Sequence, residues 1–446
     1  MAVEGVALKP GQAVGREPLE GAERRRQVRR AMIASTVGGT IEWYDFFLYS
    51  TVTGLVFAKL YFPQSDPFTG TLQAFGVYAV GFIARPVGGF LFGHYGDRIG
   101  RKATLISTLL LMGLATCAVA FVPTYSHIGI WGAVILTLLR FIQGVGVGGE
   151  WSGGVLLALE WAPKKSRGLA AAWPQFGSPA GLLLANLAVL AVSWWSGDQF
   201  LVWGWRVPFI LSALLIGVGL YIRLGVEETP AFASLVETRQ VEKAPIVEVL
   251  RSHWKTVIFV VLTRMGEITS YYLFTAYIFA YGTDQLHIPR NVLLAAVMVA
   301  ASVSFFTIPY MGHLSDRFGR KRIVLIGAVL TAIMAFVYFA MIGTREPWLV
   351  ILATTLALIP HDMMWGPLGA FISENFPPKV RYSGGSIGGQ LAAVISGGPA
   401  PLIATALAAQ FHTGYAVSAY IAFCAVLSII GAALLRDNSR NPSPEA

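Results

Sequence analysis

Two acidic residues, Glu42 and Asp45, lie three positions apart near the middle of a long apolar stretch. On a helix this spacing places both carboxyl groups on one face, with Tyr49 four positions further along. A charge in an apolar environment is costly unless water, a proton or a counter-ion compensates it. We therefore predict that Glu42 and Asp45 bind and release protons in a hydrated interior.

Three arginines, Arg85, Arg140 and Arg264, occupy comparable apolar stretches. Arginine stays protonated in such places and presents a planar set of donors that matches a carboxylate. We predict that these arginines bind an anionic small molecule. Each could instead be neutralised by an internal acid: Arg264 by Glu267, Arg85 by Asp45, and Arg140 by Glu150.

The balance of these interior charges links proton binding to solute binding. Five interior acids outnumber the three arginines. Protonation of Glu42 and Asp45 would leave three acids, and one arginine would lack a partner if one of those acids is out of reach. An anionic solute would then offset that charge, which couples the two binding events in the direction of symport.

Further polar residues in apolar stretches extend the predicted site. Glu150 is predicted to assist proton coupling, although it could also be a packing acid near the end of its helix. His361 beside Asp362 could contact the solute or could be a satisfied core histidine, and no metal-ligand spacing surrounds it. The predicted substrate contacts are Arg85, Arg140, Arg264, Glu267, Tyr49, Gln175, His361 and Asp362.

The elements that hold these residues are duplicated. The decapeptide GHYGDRIGRK (93–102) returns as GHLSDRFGRK (312–321), with seven of ten letters shared at an offset of 219 residues. Downstream, Glu160, Pro163 and Arg167 repeat the spacing of Glu374, Pro377 and Arg381 at an offset of 214. Two signatures at nearly one offset indicate a repeated unit of somewhat more than 200 residues.

The composition predicts that this unit lies in a membrane. The chain is 13% charged and 55% hydrophobic, with a mean hydropathy of +0.61, whereas about a quarter of the residues of a soluble domain are charged. The two cysteines, Cys117 and Cys424, both lie in apolar stretches, so neither a disulfide framework nor a metal cluster is indicated.

Twelve apolar stretches are long enough to cross about 30 Å of hydrocarbon. They lie at about 31–60, 70–94, 103–122, 130–160, 167–195, 207–225, 254–282, 291–311, 323–342, 347–372, 382–410 and 414–436. Stretches of this length satisfy their backbone groups in lipid as helices. The predicted fold class is an all-α membrane protein with twelve transmembrane helices in two pseudo-symmetric six-helix bundles.

Lysine and arginine are unevenly distributed between the loops. Of 33 such residues, the predicted outer loops hold only Lys59, Arg206, Arg290 and Arg345. This positive-inside pattern places both termini and both decapeptides in the cytoplasm, and it accounts for the net charge of +9 without nucleic acid. The predicted division is a cytoplasmic tail (1–30), a first bundle (31–225), a cytoplasmic linker (226–253), a second bundle (254–436) and a cytoplasmic tail (437–446).

The decapeptide loops are predicted to form a cytoplasmic gate. Asp97 and Asp316 can accept hydrogen bonds from helix N-termini and can pair with nearby arginines. Such contacts would set the inward–outward equilibrium rather than touch the solute. The predicted gate residues are Asp97, Arg98, Arg101, Glu160 and Arg167 in the first half, and Asp316, Arg317, Arg320, Glu374 and Arg381 in the second.

These motifs resemble those of a known family. The twin decapeptides resemble the signature loops of the major facilitator superfamily, and RFIQG (140–144) resembles its helix 4 motif, which that superfamily associates with proton coupling. EWYDF (42–46), GFIARPVGG (81–89), GVGGEW (146–151), WGWRVPF (203–209), EETPAF (227–232) and VRYSGGS (380–386) resemble the metabolite:proton symporter family. SIGGQLAAVISGGPAPLIATAL (386–407) and the Arg264/Glu267 pair are most similar to its shikimate-transporter-like branch.

The resemblance implies the major facilitator fold and alternating access, with the solute bound near the bilayer midplane between the halves. Members of that family carry small organic solutes such as shikimate, 2-oxoglutarate, citrate, proline and betaine. We therefore predict a secondary transporter, not an enzyme, that takes up a small organic carboxylate with protons. The alternatives are a proton-coupled exporter and a symporter of a zwitterion such as proline or betaine.

The expected setting follows from the same reading. We predict a multi-pass protein of the bacterial cell membrane that works as a monomer, with the lipid bilayer, protons and a small solute as its partners. The proton gradient supplies the energy, so we expect no cofactor, no metal and no nucleic acid.

Overall fold

The computed structural model describes residues 21–439, and all the regular structure in that range is helical. We label the twelve long helices α1 to α12. The first half contains α1 (Gly21–Val52, continued through Thr53–Phe57 and Ala58–Tyr61), α2 (Pro67–Arg98), α3 (Arg101–Val119), α4 (Trp131–Trp161), α5 (Arg167–Gln175 and Gly177–Ser196) and α6 (Val207–Leu224).

The second half contains the equivalent six helices. They are α7 (Trp254–Tyr272, continued through Leu273–Tyr277, Ile278–Ala280 and Tyr281–Gln285), α8 (Arg290–Phe318), α9 (Arg320–Gly343), α10 (Pro347–Ser373), α11 (Arg381–Ala392, Ala393–Gly397 and Ala400–Phe411) and α12 (Gly414–Leu434). Short helices also occur at Tyr125–Ile128 and, in the segment between the halves, at Pro230–Glu237 and Pro245–Ser252.

Helix packing repeats with a shift of six helices. In the first half, α2 and α3 pack on α4, α3 packs on α6, and α1 packs on α5 and α6. In the second half, α8 and α9 pack on α10, α9 packs on α12, and α7 packs on α11 and α12. The halves meet where α2 packs on α11 and where α5 packs on α8 and α10. The duplication in the sequence is therefore a duplication of the packing.

Eleven helices within residues 21–439 are long and apolar enough to cross a membrane. The remaining long helix, α1, falls below that measure because it carries Glu42 and Asp45 together with many small and polar residues. It nevertheless packs in the bundle like its counterpart α7. The two acids that are predicted to do chemistry thus contribute to the lower hydropathy of α1.

The first helix begins earlier than predicted. It starts at Gly21 rather than at 31, so the part of the predicted tail from 21 to 30 is helical; residues 1–20 lie outside the described range. Arginine, glutamine and alanine are strong helix formers, and a charged helical end can extend beyond the hydrocarbon. The end of α8 likewise moves from 311 to Phe318, through the polar residues of the decapeptide.

Two of the long helices are interrupted next to prolines. The α5 helix stops at Gln175 and resumes at Gly177, between Pro174 and Pro179. The α11 helix widens to a π-helix at Ala393–Gly397 and resumes at Ala400, next to Pro399. Wider π turns also interrupt α1 at 53–57 and α7 at 273–277, an equivalent place in the two repeats. Such π segments are frequent at functional sites.

Candidate functional site

A small cavity of about 50 Å³ lies between the two halves, near the middle of the helices. Five of the predicted site residues line it: Glu42 and Arg85 from the first half, and Arg264, Glu267 and His361 from the second. Helices α1, α2, α7 and α10 therefore bring together residues that are far apart in the sequence. A volume of this size holds a few waters at most.

The second half contributes a continuous polar network to this cavity. Arg264 Nε lies 3.3 Å from Glu267 Oε2, and the other carboxylate oxygen lies 3.6 Å from His361 Nε2. His361 Nδ1 lies 3.0 Å from Asp362 Oδ1. The hydroxyls of Ser304, at 2.8 Å, and Thr307 donate to the other Asp362 oxygen. Arg264 therefore pairs with Glu267, which was one of the two alternatives for this arginine. The polar network extends from this pair through His361 and Asp362 to the hydroxyl groups of α8.

Aromatic rings surround the network. The Arg264 guanidinium lies 4.5 Å from the centroid of Trp151 and 5.5 Å from that of Trp365. His361 stacks on Tyr271, with ring centroids 5.0 Å apart. These contacts fix the guanidinium by cation–π attraction. Trp151 comes from the first half, so the α7 arginine is held partly by the opposite bundle.

Asp45 does not line the cavity and is more deeply buried than Glu42. It is 2% exposed, and its two oxygens accept hydrogen bonds from Thr116 Oγ1 at 2.9 Å and Ser212 Oγ at 3.0 Å. No arginine or lysine of the described chain lies within ion-pair distance of it, so the alternative pairing with Arg85 is absent. Two hydroxyl donors can support either protonation state of this carboxyl.

Arg140 is a buried arginine held by aromatic faces. Its guanidinium lies 4.5 Å from the Tyr49 ring centroid and 4.7 Å from that of Tyr78. It donates to Gln143 Oε1 at 3.3 Å, and Gln143 in turn donates to Thr116, the donor to Asp45. Within the described chain no carboxylate forms an ion pair with Arg140. A polar chain therefore connects Arg140 to Asp45 without direct contact.

Glu150 does not pair with Arg140. It forms a buried ion pair with Arg223 at the end of α6, and Thr108 Oγ1 donates to it at 2.7 Å. Arg223, 2% exposed, also donates to the Leu105 carbonyl. Arg223 is not among the predicted site residues, because it lies at the very end of the predicted stretch 207–225. The signal available was an unpaired acid in α4 that required a cation.

Glu42 and Arg85 complete the cavity from the first half. Glu42 is 7% exposed, and within residues 21–439 it has neither a hydrogen-bond donor nor an ion-pair partner. Arg85 lies against the rings of Phe46 and Phe82, 5.0 and 4.5 Å from their centroids. Glu42 and Arg85 thus bring to the cavity a carboxyl and a guanidinium that form no ion pair within the described chain.

Tyr49 and Gln175 do not line the cavity, and the same is true of the predicted contacts Arg140 and Asp362. Tyr49 is fully buried and provides the ring beneath Arg140. Gln175, 1% exposed, accepts from Trp151 Nε1 at 2.9 Å through its side chain, and its backbone carbonyl accepts from Trp365 Nε1 at 3.4 Å. Gln175 therefore positions the two tryptophans that flank Arg264.

No group of three or more His, Cys, Asp or Glu residues within 21–439 is arranged to hold a metal ion.

The decapeptides seal one face of the molecule, which we call the motif face. Asp97 accepts from the backbone N–H groups of Tyr382 at 3.3 Å and Ser383 at 2.8 Å, at the start of α11. Asp316 accepts from Gly168 at 2.7 Å and Leu169 at 2.9 Å, at the start of α5. Each aspartate thus binds the positive end of a helix in the other half.

Close contact makes glycine necessary at this seal. A Cβ atom on Gly93 would lie only 2.9 Å from the Cα atom of Ser383, and one on the equivalent Gly312 would overlap Ala172. Gly100 and Gly319 end the two decapeptide turns with φ of 112° and 97°, which other residues rarely adopt. The shared glycines of the repeat therefore permit the halves to meet and the chain to turn.

Arginines join the aspartates to the downstream acids. Arg101 lies 3.2 Å from Asp97 and 3.5 Å from Glu160, and Arg381 lies 3.6 Å from Glu160. In the second copy, Arg320 lies 3.4 Å from Asp316 and 2.8 Å from Glu374. Burial raises the pKa of the Glu374 carboxyl, and the charges of Arg320 and Arg167 oppose that rise.

Two predicted gate residues are outside these clusters. Arg98 is exposed and hydrogen-bonds His94, 3.1 Å away, within its own helix. Arg317 is exposed as well. The first arginine of each decapeptide directly follows the aspartate, so its side chain points away from the seal. Arg101 and Arg320 lie four positions after the aspartate, about one helical turn, and therefore reach it. The spacing alone did not separate the two arginines.

A third repeated contact was not anticipated. Glu228 accepts from the backbone N–H groups of Arg101 at 3.1 Å and Lys102 at 3.2 Å, at the start of α3. Asp437 accepts from Lys321 at 3.2 Å, at the start of α9. Burial raises the pKa of Glu228, and the backbone N–H donors limit the increase. The EETPAF motif thus supplies a helix cap.

Comparison with known proteins agrees with this architecture. A sequence model of the Major Facilitator Superfamily matches residues 36–398 and 303–446. The chain is 39% identical to the inner membrane metabolite transport protein YhjE of Escherichia coli, over 93% of this chain and 95% of that protein. It is 37% identical to the shikimate transporter of Escherichia coli (96% and 99% covered) and 30% identical to the proline/betaine transporter of Salmonella typhimurium (93% and 85%).

A solved structure shares the fold. The proton:xylose symporter XylE bound to 6-bromo-6-deoxy-D-glucose superposes with a TM-score of 0.74, covering 92% of this chain and 95% of that one. The sequence identity is 20%, so this likeness establishes the fold alone. The predicted twelve-helix architecture and the predicted family resemblance are confirmed.

Proposed function

This chain belongs to the major facilitator superfamily and is a multi-pass membrane transporter of metabolites rather than an enzyme, and from that premise we propose that it takes up a small organic carboxylate together with protons. The observation that carries the proposal is the cavity between the halves. One guanidinium from each half, Arg85 and Arg264, lines it beside the unpartnered carboxyl of Glu42. A carboxylate could bridge the two cations, and Glu42 could exchange a proton in the same space.

The size of the cavity supports alternating access. A volume of about 50 Å³ is far below the roughly 300 Å³ of a typical small-ligand pocket. The site must therefore widen before a metabolite enters. Because the motif face is sealed by Asp97 and Asp316, we propose that the solute enters from the opposite face and that release requires these helix contacts to break.

The alternative substrate is a zwitterion, since relatives named as proline/betaine transporters share about 30% identity with this chain. A quaternary ammonium group would need a free aromatic face. The faces of Trp151 and Trp365 already lie against Arg264. Of the other aromatic residues at the cavity, Tyr271 stacks on His361 and Trp43 on Phe47, and Tyr272 is the remaining one. This arrangement favours a carboxylate with hydrogen-bonding substituents, which Gln390 and His361 at the cavity could bind.

Transport by purified protein in liposomes tests the proposal. An inward proton gradient should drive accumulation of a hydroxylated carboxylate from a panel of organic acids, zwitterions and sugars, and a protonophore should remove the accumulation. Accumulation of a sugar or betaine alone would contradict the proposed substrate class. Accumulation that survives the protonophore would contradict proton coupling.

We further propose that the motif face is cytoplasmic, as the distribution of lysine and arginine suggests. After replacement of Cys117 and Cys424, single cysteines at the exposed positions Asp198 and Gln240 provide the measurement. A membrane-impermeant thiol reagent applied to intact cells should label position 198 and spare position 240. The reverse pattern would invert the orientation.

A molecule with one complete site per chain would also function as a monomer.

A further inference from the structure

An amphipathic groove of about 650 Å³ lies at the motif-face end of α1, far from the cavity described above. Its basic end is formed by Arg24, Arg25 and Arg29. Its apolar length is formed by Met32, Ile33 and Val37 of α1, together with Pro163, which precedes α5, and Trp173 in the first segment of α5. The groove is thirteen times larger than the central cavity, and the transport proposal does not use it.

The helical spacing aligns these groups on one face of α1. Arg25, Arg29, Ile33 and Val37 follow one another at four-residue intervals, so their side chains form a single stripe. At about 1.5 Å per residue the stripe from 25 to 37 is roughly 18 Å long. One end is cationic, and the other is apolar and uncovered, with Ile33 45% exposed.

The cations have no acidic partner in the described chain. Neither Arg24, Arg25 nor Arg29 forms an ion pair with any acid of residues 21–439, although Glu23 is adjacent in sequence. Lys164 and Lys165 follow the groove residue Pro163 in the sequence and add positive charge beside the groove. This end of the groove therefore presents unpaired cations that an anion could bind.

We propose that this groove binds one anionic phospholipid, with the phosphate at the arginines and an acyl chain along the apolar length. The polarity of the groove matches that of a lipid, since its charged end lies at the level where α1 leaves the apolar zone. The occupied groove spans α1 and α5, and the first residues of α5 are those bound by Asp316. The lipid would thus brace a helix that takes part in the seal.

The test is native mass spectrometry of the full chain in micelles that contain equal amounts of phosphatidylglycerol and phosphatidylcholine with identical acyl chains. We expect one retained phosphatidylglycerol. The triple variant Arg24→Gln, Arg25→Gln, Arg29→Gln should bind it about tenfold more weakly or worse, since each basic residue near an anionic headgroup contributes. The matched control is Arg239→Gln, Arg251→Gln, Arg322→Gln, which removes three exposed arginines elsewhere and should leave binding unchanged.

Two further arms separate the other occupants. Ile33→Trp fills the apolar length while keeping every charge, so it should also weaken lipid binding. Inorganic phosphate should not displace the lipid. Equal retention of both lipids, unchanged binding in the arginine triple variant, or displacement by phosphate would overturn the proposal. Lipid binding that appears only after deletion of residues 1–20 would assign the groove to that segment instead.

Discussion

Replacing Asp45 with Asn should abolish proton-driven accumulation while substrate binding and exchange persist. Asn occupies the same space as the protonated carboxyl and can still accept from Thr116 or Ser212, so the fold should tolerate it. The variant cannot change charge. A transporter that can bind its solute but cannot release a proton on each cycle equilibrates the solute without concentrating it.

The surroundings of Asp45 give this prediction its physical basis. A chain of hydrogen bonds through Thr116 and Gln143 connects the buried carboxyl of Asp45 to the buried guanidinium of Arg140, which has no acid within ion-pair distance in the described chain. When Asp45 is ionised, the two charges compensate each other through this chain. When Asp45 is protonated, Arg140 is left without compensation and an anion nearby becomes more favourable. The Asp45→Asn variant permanently mimics the protonated state of Asp45.

The measurement compares gradient-driven uptake with counterflow exchange in the same liposomes. Asp198→Asn, an identical change at an exposed loop position, is the matched control and should transport normally. Glu42→Gln should have a milder effect if Glu42 assists rather than carries the proton. Full accumulation by Asp45→Asn, with loss in Glu42→Gln, would transfer the carrier role to the cavity carboxyl.

The sequence predicted the architecture well because its signals are strong and repeated. The lengths of the apolar stretches predicted the number of helices. The offset between the decapeptides predicted two equivalent halves, and the helix packing repeats in the same way. The start of α1 was missed because residues 21–30 are too polar to count as membrane helix, yet their side chains favour helical backbone. Hydropathy locates the apolar zone, not the ends of the helices that extend beyond it.

The candidate site was predicted in its residues but not in its pairings. Interior charges are rare enough to be identified individually, and four of them meet His361 at one cavity. The partner of Glu150 could not be read from the sequence, because Arg223 lies 73 positions away and reaches it only through packing of α4, α3 and α6. The helix N-termini that Asp97 and Asp316 bind likewise exist only after the halves assemble.

Replacing Arg85 with Gln should weaken binding of the carboxylate by about 2 kcal/mol or more, which is roughly 30-fold in affinity. Arg85 is the cleaner of the two cavity arginines to test, since no acid of the described chain pairs with it and its removal orphans none. Arg264→Gln would leave Glu267 with only His361, so it should be read against Arg264→Gln combined with Glu267→Gln. Arg345→Gln, at an exposed site, is the matched control.

The same charge argument fixes how affinity varies with pH. Protonation of Glu42 and Asp45 removes negative charge near Arg85 and Arg140, so the carboxylate should bind more tightly as the pH falls. Calorimetry with the acid and with its uncharged methyl ester measures both effects. The ester should bind weakly to the unmodified protein, and its affinity for the Arg85→Gln variant should be almost the same. Equal binding of acid and ester by the unmodified protein would reject an anionic substrate and favour a neutral or zwitterionic solute.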